Sequence, residues 1–203
     1  MAGPITLAER PDFNVIGEII PPESRVLDLG CGEGELLAWL VENKRILARG
    51  VEISSAQVRK AIARGVSAYQ CDVDESLADY PTGAFDYVIL SQTLQETRAP
   101  LQVLREMLRV GKRAVVSFPN FGHWAVRRAM LFSGQAPKTK LFPYDWYNSP
   151  NIHFLSINDF EDLCREHGFS IEKRYFLSGA TRVTAIPNLL AQTAVFLLRS
   201  KGD

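Results

Sequence analysis

The sequence is poor in cysteine and histidine and has no excess of either charge. Its three cysteines, Cys31, Cys71 and Cys164, lie far apart without a C-x-x-C pair, which excludes a disulfide framework and a zinc ribbon. Three histidines at wide spacing predict no metal site. Basic residues (Lys and Arg) and acidic residues (Asp and Glu) each number 23, and this balance argues against binding to a nucleic-acid backbone.

Long hydrophobic runs are also missing. The longest uncharged stretch, residues 183–198, contains Pro187, Asn188 and Gln192 and is too short to cross a bilayer. Residues 1–10 have neither the basic nor the apolar region of a signal peptide. We therefore expect no membrane attachment and a reducing, cytoplasmic location. With 46% hydrophobic and 23% charged residues, the chain is predicted to fold as a single domain over residues 1–203.

Strand-like apolar runs alternate with helix-like periods along most of the chain. This alternation predicts an α/β fold with one doubly wound, mostly parallel sheet. Helices are expected after Gly34, after Ser54 or Ser55, over residues 97–110 and from residue 157 to Gly168. The sheet is expected to have seven strands, at residues 25–29, 48–53, 66–70, 85–90, 114–118, 171–177 and 193–198.

The regular alternation is interrupted by an insertion after the fifth predicted strand, at residues 119–155. Residues 118–154 contain nine of the 20 aromatic residues of the chain and are punctuated by four prolines. Prolines at this density predict an ordered, irregular segment rather than one long helix. The insertion is interpreted either as a lid over a substrate pocket or as a partner-facing surface, because aromatic residues are enriched at interface cores. Core filling under an irregular loop is the third alternative.

A glycine-rich loop joins the first strand to the first predicted helix. Gly30, Gly32 and Gly34 form a G-x-G-x-G pattern, whereas the dinucleotide fingerprint would require glycine at position 35, where Glu35 stands. Glycines let the backbone approach a ligand closely and adopt positive φ angles. Asp28, two residues before the first glycine, would repel a pyrophosphate but suits a ligand that carries an ammonium group.

Acidic residues also follow the next two predicted strands. Glu52 ends the second strand, where a carboxylate can accept hydrogen bonds from both hydroxyls of a ribose. Asp72 follows the third strand and is placed to meet an adenine amino group. Because the carboxyl ends of parallel strands meet at one edge of a sheet, these acids and Asp28 predict a nucleoside site.

The glycine loop and its acids resemble class I S-adenosylmethionine (SAM) dependent methyltransferases, a Rossmann-like superfamily. The leading motif of that superfamily is matched by Leu27-Asp-Leu-Gly-Cys-Gly-Glu-Gly34. The resemblance implies SAM or S-adenosylhomocysteine as the ligand, with Ser91 and Gln92 beneath the pocket. Cys31 is interpreted as a small filler near the ligand rather than a nucleophile. The implied binding residues are Asp28, Gly30, Cys31, Gly32, Glu52, Ile53, Asp72, Val73, Ser91 and Gln92.

A catalytic group is harder to identify. The Asn/Asp-Pro-Pro-aromatic motif of amide and adenine methylases is missing after the fourth strand, and no histidine stands there as a general base. His123 and His153, both in the insertion, are the catalytic candidates; the alternative is that each fixes an irregular loop by hydrogen bonds. His167 is interpreted as structural, in the last turn of a helix.

A narrower resemblance extends over nearly the whole chain. Several runs are similar to the MetW family of methionine biosynthesis: Arg10-Pro-Asp-Phe13, Leu90-Ser-Gln-Thr-Leu-Gln95, Val116-Ser-Phe-Pro-Asn-Phe-Gly-His-Trp124, Pro143-Tyr-Asp-Trp-Tyr147 and Ser149-Pro-Asn-Ile-His153. The resemblance implies an accessory or regulatory partner of a MetX-type homoserine O-acyltransferase. Such a protein can sense SAM without transferring its methyl group. The alternative is an active SAM-dependent methyltransferase that acts on a small metabolite.

Overall fold

The computed structural model describes residues 10–139 and 141–199. Residues 1–9 lie outside the described residues. The prediction that the chain begins without a signal peptide concerns this segment. The helices in the described ranges are α1 (Pro11–Ile19), α2 (Glu35–Lys44), α3 (Ser55–Ala63), α4 (Pro100–Val110), α5 (Trp124–Ser133), α6 (Ile157–His167) and α7 (Pro187–Leu190). No described helix combines the length and apolar character that a bilayer crossing requires.

Eight strands form one sheet within the described ranges, so the predicted count of seven is wrong by one. The additional strand, β7, has only two residues, which is too short for a periodic pattern to reveal. The strands are β1 (Arg25–Leu29), β2 (Leu47–Glu52), β3 (Ala68–Gln70), β4 (Phe85–Ser91), β5 (Gly111–Pro119), β6 (Ser170–Ser178), β7 (Thr181–Arg182) and β8 (Thr193–Arg199).

The order of the strands across the sheet is β3-β2-β1-β4-β5-β8-β6-β7. Neighbours from β3 to β5 are parallel, whereas β8 is antiparallel to both β5 and β6. The chain runs outward in one direction from β1 and in the other from β4. Ligands of doubly wound sheets bind at such a switch point, at the carboxyl ends of the strands. This topology confirms the mostly parallel α/β class.

Apolar side chains cover both faces of the sheet. Val88 and Leu90 of β4 pack on one face with α4 and α6, whereas Ile89 packs on the other with α1 and α2. Alternate side chains of a strand point to opposite faces, so a strand buried on both sides has to be apolar throughout. This explains why β4 and β8 are nearly continuous hydrophobic runs.

Three predicted starts move by more than one residue: β5 begins at Gly111 rather than at residue 114, and the starts of α4 and β3 also shift. The helix expected from Thr97 begins at Pro100, since the residue before a proline avoids helical angles and proline itself suits the first helical position. The strand expected from Val66 begins at Ala68, and the Val66 side chain is buried below the glycine loop instead. Helices α1, α5 and α7 have no counterpart in the prediction.

The insertion begins after β5 and contains α5. This helix ends at Gly134, whose φ of +63° stops it after ten residues. Residues 135–139 and 141–156 follow without further helix or strand. The ten-residue helix α5 was not expected in this segment, and the residues after it are irregular.

Candidate functional site

A cleft of about 430 Å³ opens at the carboxyl ends of β1 to β4, at the switch point of the sheet. Four loops form it, one after each of these strands. Eight of the ten predicted binding residues line it, and the other two, Asp28 and Cys31, lie behind the glycine loop. The eight are Gly30, Gly32, Glu52, Ile53, Asp72, Val73, Ser91 and Gln92.

The glycine loop needs glycine for its backbone angles and for space. Gly30, Gly32 and Gly34 have φ values of +72°, +56° and +74°, which side chains rarely adopt. A Cβ atom on Gly30 would lie 2.7 Å from the Thr93 hydroxyl oxygen, across the cleft wall. The N–H of Gly30 donates to the Val51 carbonyl over 2.8 Å, which ties the loop to β2. The conformation of the loop is therefore set by its own glycines and by its hydrogen bond to β2.

Gly34→Ala is expected to destabilise the fold more than Gly65→Ala. Both positions have positive φ, which costs a residue with a Cβ about 1–2 kcal/mol. A Cβ on Gly34 would also lie 2.9 Å from the Cβ of Ala61, whereas a Cβ on Gly65 meets nothing within 4 Å. The clash should add about 1–3 kcal/mol at position 34. Urea unfolding of both variants measures the difference, and equal free energies of unfolding would contradict the close contact with α3.

Glu52 is buried at the end of β2 and organises the backbone around it. One carboxylate oxygen accepts from the Gly32 N–H over 3.1 Å, and the other accepts from the Ser54 N–H over 2.9 Å. The carboxylate thus holds the glycine loop and the start of α3 together. Each oxygen has a further lone pair for a ligand hydroxyl.

Asp28 lies beneath the loop with one oxygen unsatisfied. Within the described residues its Oδ1 is buried and has no hydrogen-bond partner. Burial raises the pKa of Asp28 to about 7; the Arg10 guanidinium opposes this rise, and Asp12 and Glu52 add to it. A buried carboxylate with a free oxygen is costly unless a donor completes it. This oxygen does not face the cleft, because Asp28 is not among the residues that line it.

Cys31 points away from the cleft. A Cβ on Gly50 of β2 would lie 2.6 Å from the Cys31 sulfur, so the thiol fills the space that this glycine leaves. Burial, together with Asp28 and Glu52, raises the pKa of Cys31 to about 12. A thiol that stays protonated is a poor nucleophile, in agreement with its interpretation as a filler.

Asp72 is held by its own loop and by an arginine. Its Oδ1 accepts from the Asp74 N–H over 3.0 Å, and its Oδ2 accepts from Arg98. Asp74 in turn accepts from the backbone N–H groups of Arg98 and Ala99, just before α4. Asp72 lines the cleft and remains partly exposed, so it keeps acceptor capacity toward a ligand.

A buried polar network behind the cleft was missed by the sequence analysis. Asp12 of α1 is 2% exposed, and its Oδ2 accepts from Ser91 over 2.6 Å and from Ser117 over 2.9 Å. The Arg10 guanidinium bonds both Asp12 oxygens and also donates to the Ser91 hydroxyl over 2.8 Å. Arg10 reaches the cleft in this way. The sequence signal for this network was the run Arg10-Pro-Asp-Phe13, which was noted only for its similarity to the MetW family.

Seven residues that were not predicted as binding residues also line the cleft. Glu96, in the short 3₁₀ turn Leu94–Glu96 after β4, lines the cleft, and burial together with Glu52 raises its pKa. Gln92 adopts a φ of +55°, with its N–H donating to the Ser117 carbonyl. The additional lining residues are Arg10, Ser54, Gln57, Asp74, Thr93, Glu96 and Thr97.

The two candidate histidines lie outside this set. His123 caps α5, where its Nδ1 accepts from the Ala125 N–H over 3.3 Å, and burial lowers its pKa. His153 lines a separate cavity of about 270 Å³ beside Leu94 and Phe160, and its Nε2 is buried without a hydrogen-bond partner among the described residues. A catalytic role of either stays a prediction. The described part of the chain groups no three His, Cys, Asp or Glu side chains for a metal.

The fold is that of the class I SAM-dependent methyltransferases. A solved SAM-dependent methyltransferase from Mesorhizobium loti matches with a TM-score of 0.69 over 95% of this chain and 97% of its own, at 21% identity. The family model described as "Methionine biosynthesis protein MetW" matches residues 10–198. The chain therefore belongs to the MetW family of methionine biosynthesis.

Curated relatives are longer proteins. The bifunctional methionine biosynthesis protein MetXA/MetW of Rhodopirellula baltica is 36% identical over 207 residues, which cover 96% of this chain and 33% of that protein. The 27-O-demethylrifamycin SV methyltransferase of Amycolatopsis mediterranei is 34% identical over 95 residues, covering 42% of this chain and 34% of the enzyme. The chain thus spans about a third of the length of the first relative.

Proposed function

We propose that this chain is a SAM-binding accessory subunit that regulates a MetX-type homoserine O-acyltransferase. The observation that carries the proposal is the Rhodopirellula relative, which unites MetXA and MetW in one protein and matches this chain along 96% of its length. A cytoplasmic location belongs to the proposal, since Cys31, Cys71 and Cys164 are free thiols.

SAM suits the chemistry of the cleft. We assign the ribose hydroxyls to Glu52 and the adenine amino group to Asp72, since both residues offer acceptor oxygens. Asp28, behind the glycine loop, would favour a positively charged ligand through its charge rather than through a direct contact. When bound, SAM supplies a positively charged sulfonium with a transferable methyl group. The acidic side chains stabilise such a cation by charge.

Sensing rather than methyl transfer is favoured by the groups around the cleft. Among the described residues, none of those lining it is a histidine. The cleft wall is also bonded to the insertion, because the Gln95 carbonyl accepts from the N–H groups of Ile152 and His153 over 2.8 and 3.0 Å. The Gln95 side chain donates to the Gln92 carbonyl over 2.7 Å, next to the cleft. If ligand binding moves the turn that contains Gln95, its hydrogen bonds with Ile152 and His153 would transmit the movement to the insertion.

The test is the rate of the purified homoserine O-acyltransferase from the same organism, measured with and without this protein over a range of SAM concentrations. We expect the rate to depend on this protein and the effect to change with SAM. The SAM response should be lost in Glu52→Ala and retained in Glu33→Gln, whose carboxylate pairs with Lys60 and Arg64 outside the cleft. A rate independent of the protein at every SAM concentration would refute the accessory role.

Methyl transfer to a small metabolite is the second candidate, and Glu96 favours it. Glu96 is a solvent-exposed carboxylate that lines the cleft, and its raised pKa brings it closer to the range of a general base. The two functions differ in one product. An enzyme releases S-adenosylhomocysteine when SAM and an acceptor are supplied, whereas a sensor binds SAM and leaves it intact. Product analysis after prolonged incubation with the acyltransferase and homoserine separates them.

A further inference from the structure

Helix α5 contributes almost nothing to the core. Val126 is its one buried side chain, whereas Met130, Leu131 and Phe132 are 49%, 77% and 80% exposed. A helix of ten residues is marginal in water by itself and depends on packing for its stability. An apolar helix face left open to this degree is typical of a surface that another protein covers.

The irregular part of the insertion exposes more large aromatic side chains. Tyr144, Trp146 and Tyr147 are 50%, 80% and 71% exposed, and the rings of Trp146 and Tyr147 meet edge to face at 5.8 Å. Lone exposed apolar residues are ordinary, but such a concentration in one segment is not. Tryptophan and tyrosine are also the residues that most often dominate binding energy at interfaces.

This segment is anchored to the fold rather than loosely attached. Phe142 is buried and meets Phe121 edge to face at 5.3 Å, and Phe121 in turn packs against Phe154 at 4.8 Å. Lys138 and Asp145 pair over 2.9 Å across the start of the segment. The exposed rings therefore stand on a fixed base, which lowers the entropy cost of binding.

Two observations indicate what covers this face. The Rhodopirellula relative carries MetXA and MetW in one protein, so a module like this one works beside an acyltransferase module. The exposed face also carries Arg127 and Arg128, with Arg128 over the Trp124 ring at 5.1 Å. A basic, aromatic face suits a partner with an apolar patch and an acidic rim.

We propose that the exposed apolar side chains of the insertion, Leu131 and Phe132 on α5 and Tyr144, Trp146 and Tyr147 after it, are the site on which the MetX-type homoserine O-acyltransferase docks. The inference rests on the proposed function and adds the binding surface to it. Of the three interpretations of the insertion given in the sequence analysis, the inference adopts the partner-facing surface. Phe142 is buried at 6% exposure and Phe121 and Phe154 pack beside it, whereas Phe132, Tyr144, Trp146 and Tyr147 remain exposed.

The experiment measures the dissociation constant of the complex with the purified acyltransferase, by titration calorimetry, for paired variants of the full chain. Leu131→Ala with Phe132→Ala, and Trp146→Ala with Tyr147→Ala, should each weaken binding at least about tenfold. The matched control is Leu47→Ala with Ile62→Ala, which removes side chains that are 67% and 55% exposed on β2 and α3. The control should keep the affinity within about twofold. Circular dichroism and SAM affinity verify that each variant is folded.

The outcomes separate the surface from the proposed function. If the wild-type chain binds the acyltransferase and both surface pairs bind equally well, the surface assignment is overturned while the accessory role stands. If the wild-type chain does not bind the acyltransferase at all, both the surface assignment and the accessory role are refuted. A dimer of this chain that the surface pairs dissociate, without any effect on acyltransferase binding, would assign the face to a second copy and overturn the inference.

Discussion

Replacing Glu52 with Ala is expected to weaken SAM binding about 10–150-fold, or about 1.5–3 kcal/mol. The change removes the carboxylate assigned to the ribose hydroxyls. It also leaves the N–H groups of Gly32 and Ser54 without the acceptor that they now share. Glu52→Gln keeps one acceptor oxygen and should lose less. Titration calorimetry with SAM gives both affinities.

The control for this prediction is Glu33→Gln, in the same glycine loop. Its carboxylate faces Lys60 and Arg64 over 2.5 and 2.8 Å rather than the cleft, so the SAM affinity should stay within about twofold of the wild type. An unchanged affinity of folded Glu52→Ala would show that SAM binds elsewhere or not at all. Thermal unfolding without ligand checks that the variant is folded.

Asp12→Asn is expected to destabilise the protein by about 2–4 kcal/mol. The substitution removes a buried charge that accepts from Arg10, Ser91 and Ser117 at once and leaves the guanidinium without its counter-ion. Glu18→Gln, on the same helix, should change the free energy of unfolding by less than about 0.5 kcal/mol, because the Glu18–Arg182 pair is exposed. Urea unfolding compares the two variants, and equal stabilities would contradict a structural role of the network.

The same network predicts a pH dependence. Burial by itself would raise the pKa of Asp12, but the hydrogen bonds and charge of Arg10 and the hydroxyls of Ser91 and Ser117 outweigh it and hold the pKa below the ordinary value of 3.8. The folded state thus binds the Asp12 proton less readily than the unfolded state. Its stabilisation is complete above the ordinary value and is lost as the pH falls through the lowered pKa. Asp12→Asn should remove this part of the acid sensitivity.

Most of the cleft could be predicted because its signals are local. Gly30 and Gly32 have positive φ angles, and the need for glycine at such positions depends only on the neighbouring residues of the loop. Glu52 and Asp72 follow strands that apolar runs identify, and parallel strands bring their carboxyl ends together. The same logic missed Glu96, because it lies in a short 3₁₀ turn between β4 and the expected helix, where no strand end marks its position.

The orientation of side chains around the cleft was harder to predict. Asp28, near the end of β1, and Cys31, in the loop, do not line the cleft, and Gly50 leaves the space that the Cys31 thiol fills. His123 and His153 share the insertion but have different surroundings, one as a helix cap and the other beside an apolar cavity. Spacing along the chain contains no information about such packing.

The sequence by itself determined strands β1 to β6 and β8, helices α2, α3, α4 and α6, the glycine loop and the acids at the strand ends, because backbone angles and apolar periodicity depend on near neighbours. Tertiary structure alone decided that Asp12 meets Ser117 across 105 residues of sequence. It also decided which aromatic rings are buried, as Phe118 is, and which face the solvent, as Trp146 does. Burial and pairing depend on elements distant in sequence that fold onto one another, and no local pattern specifies that packing.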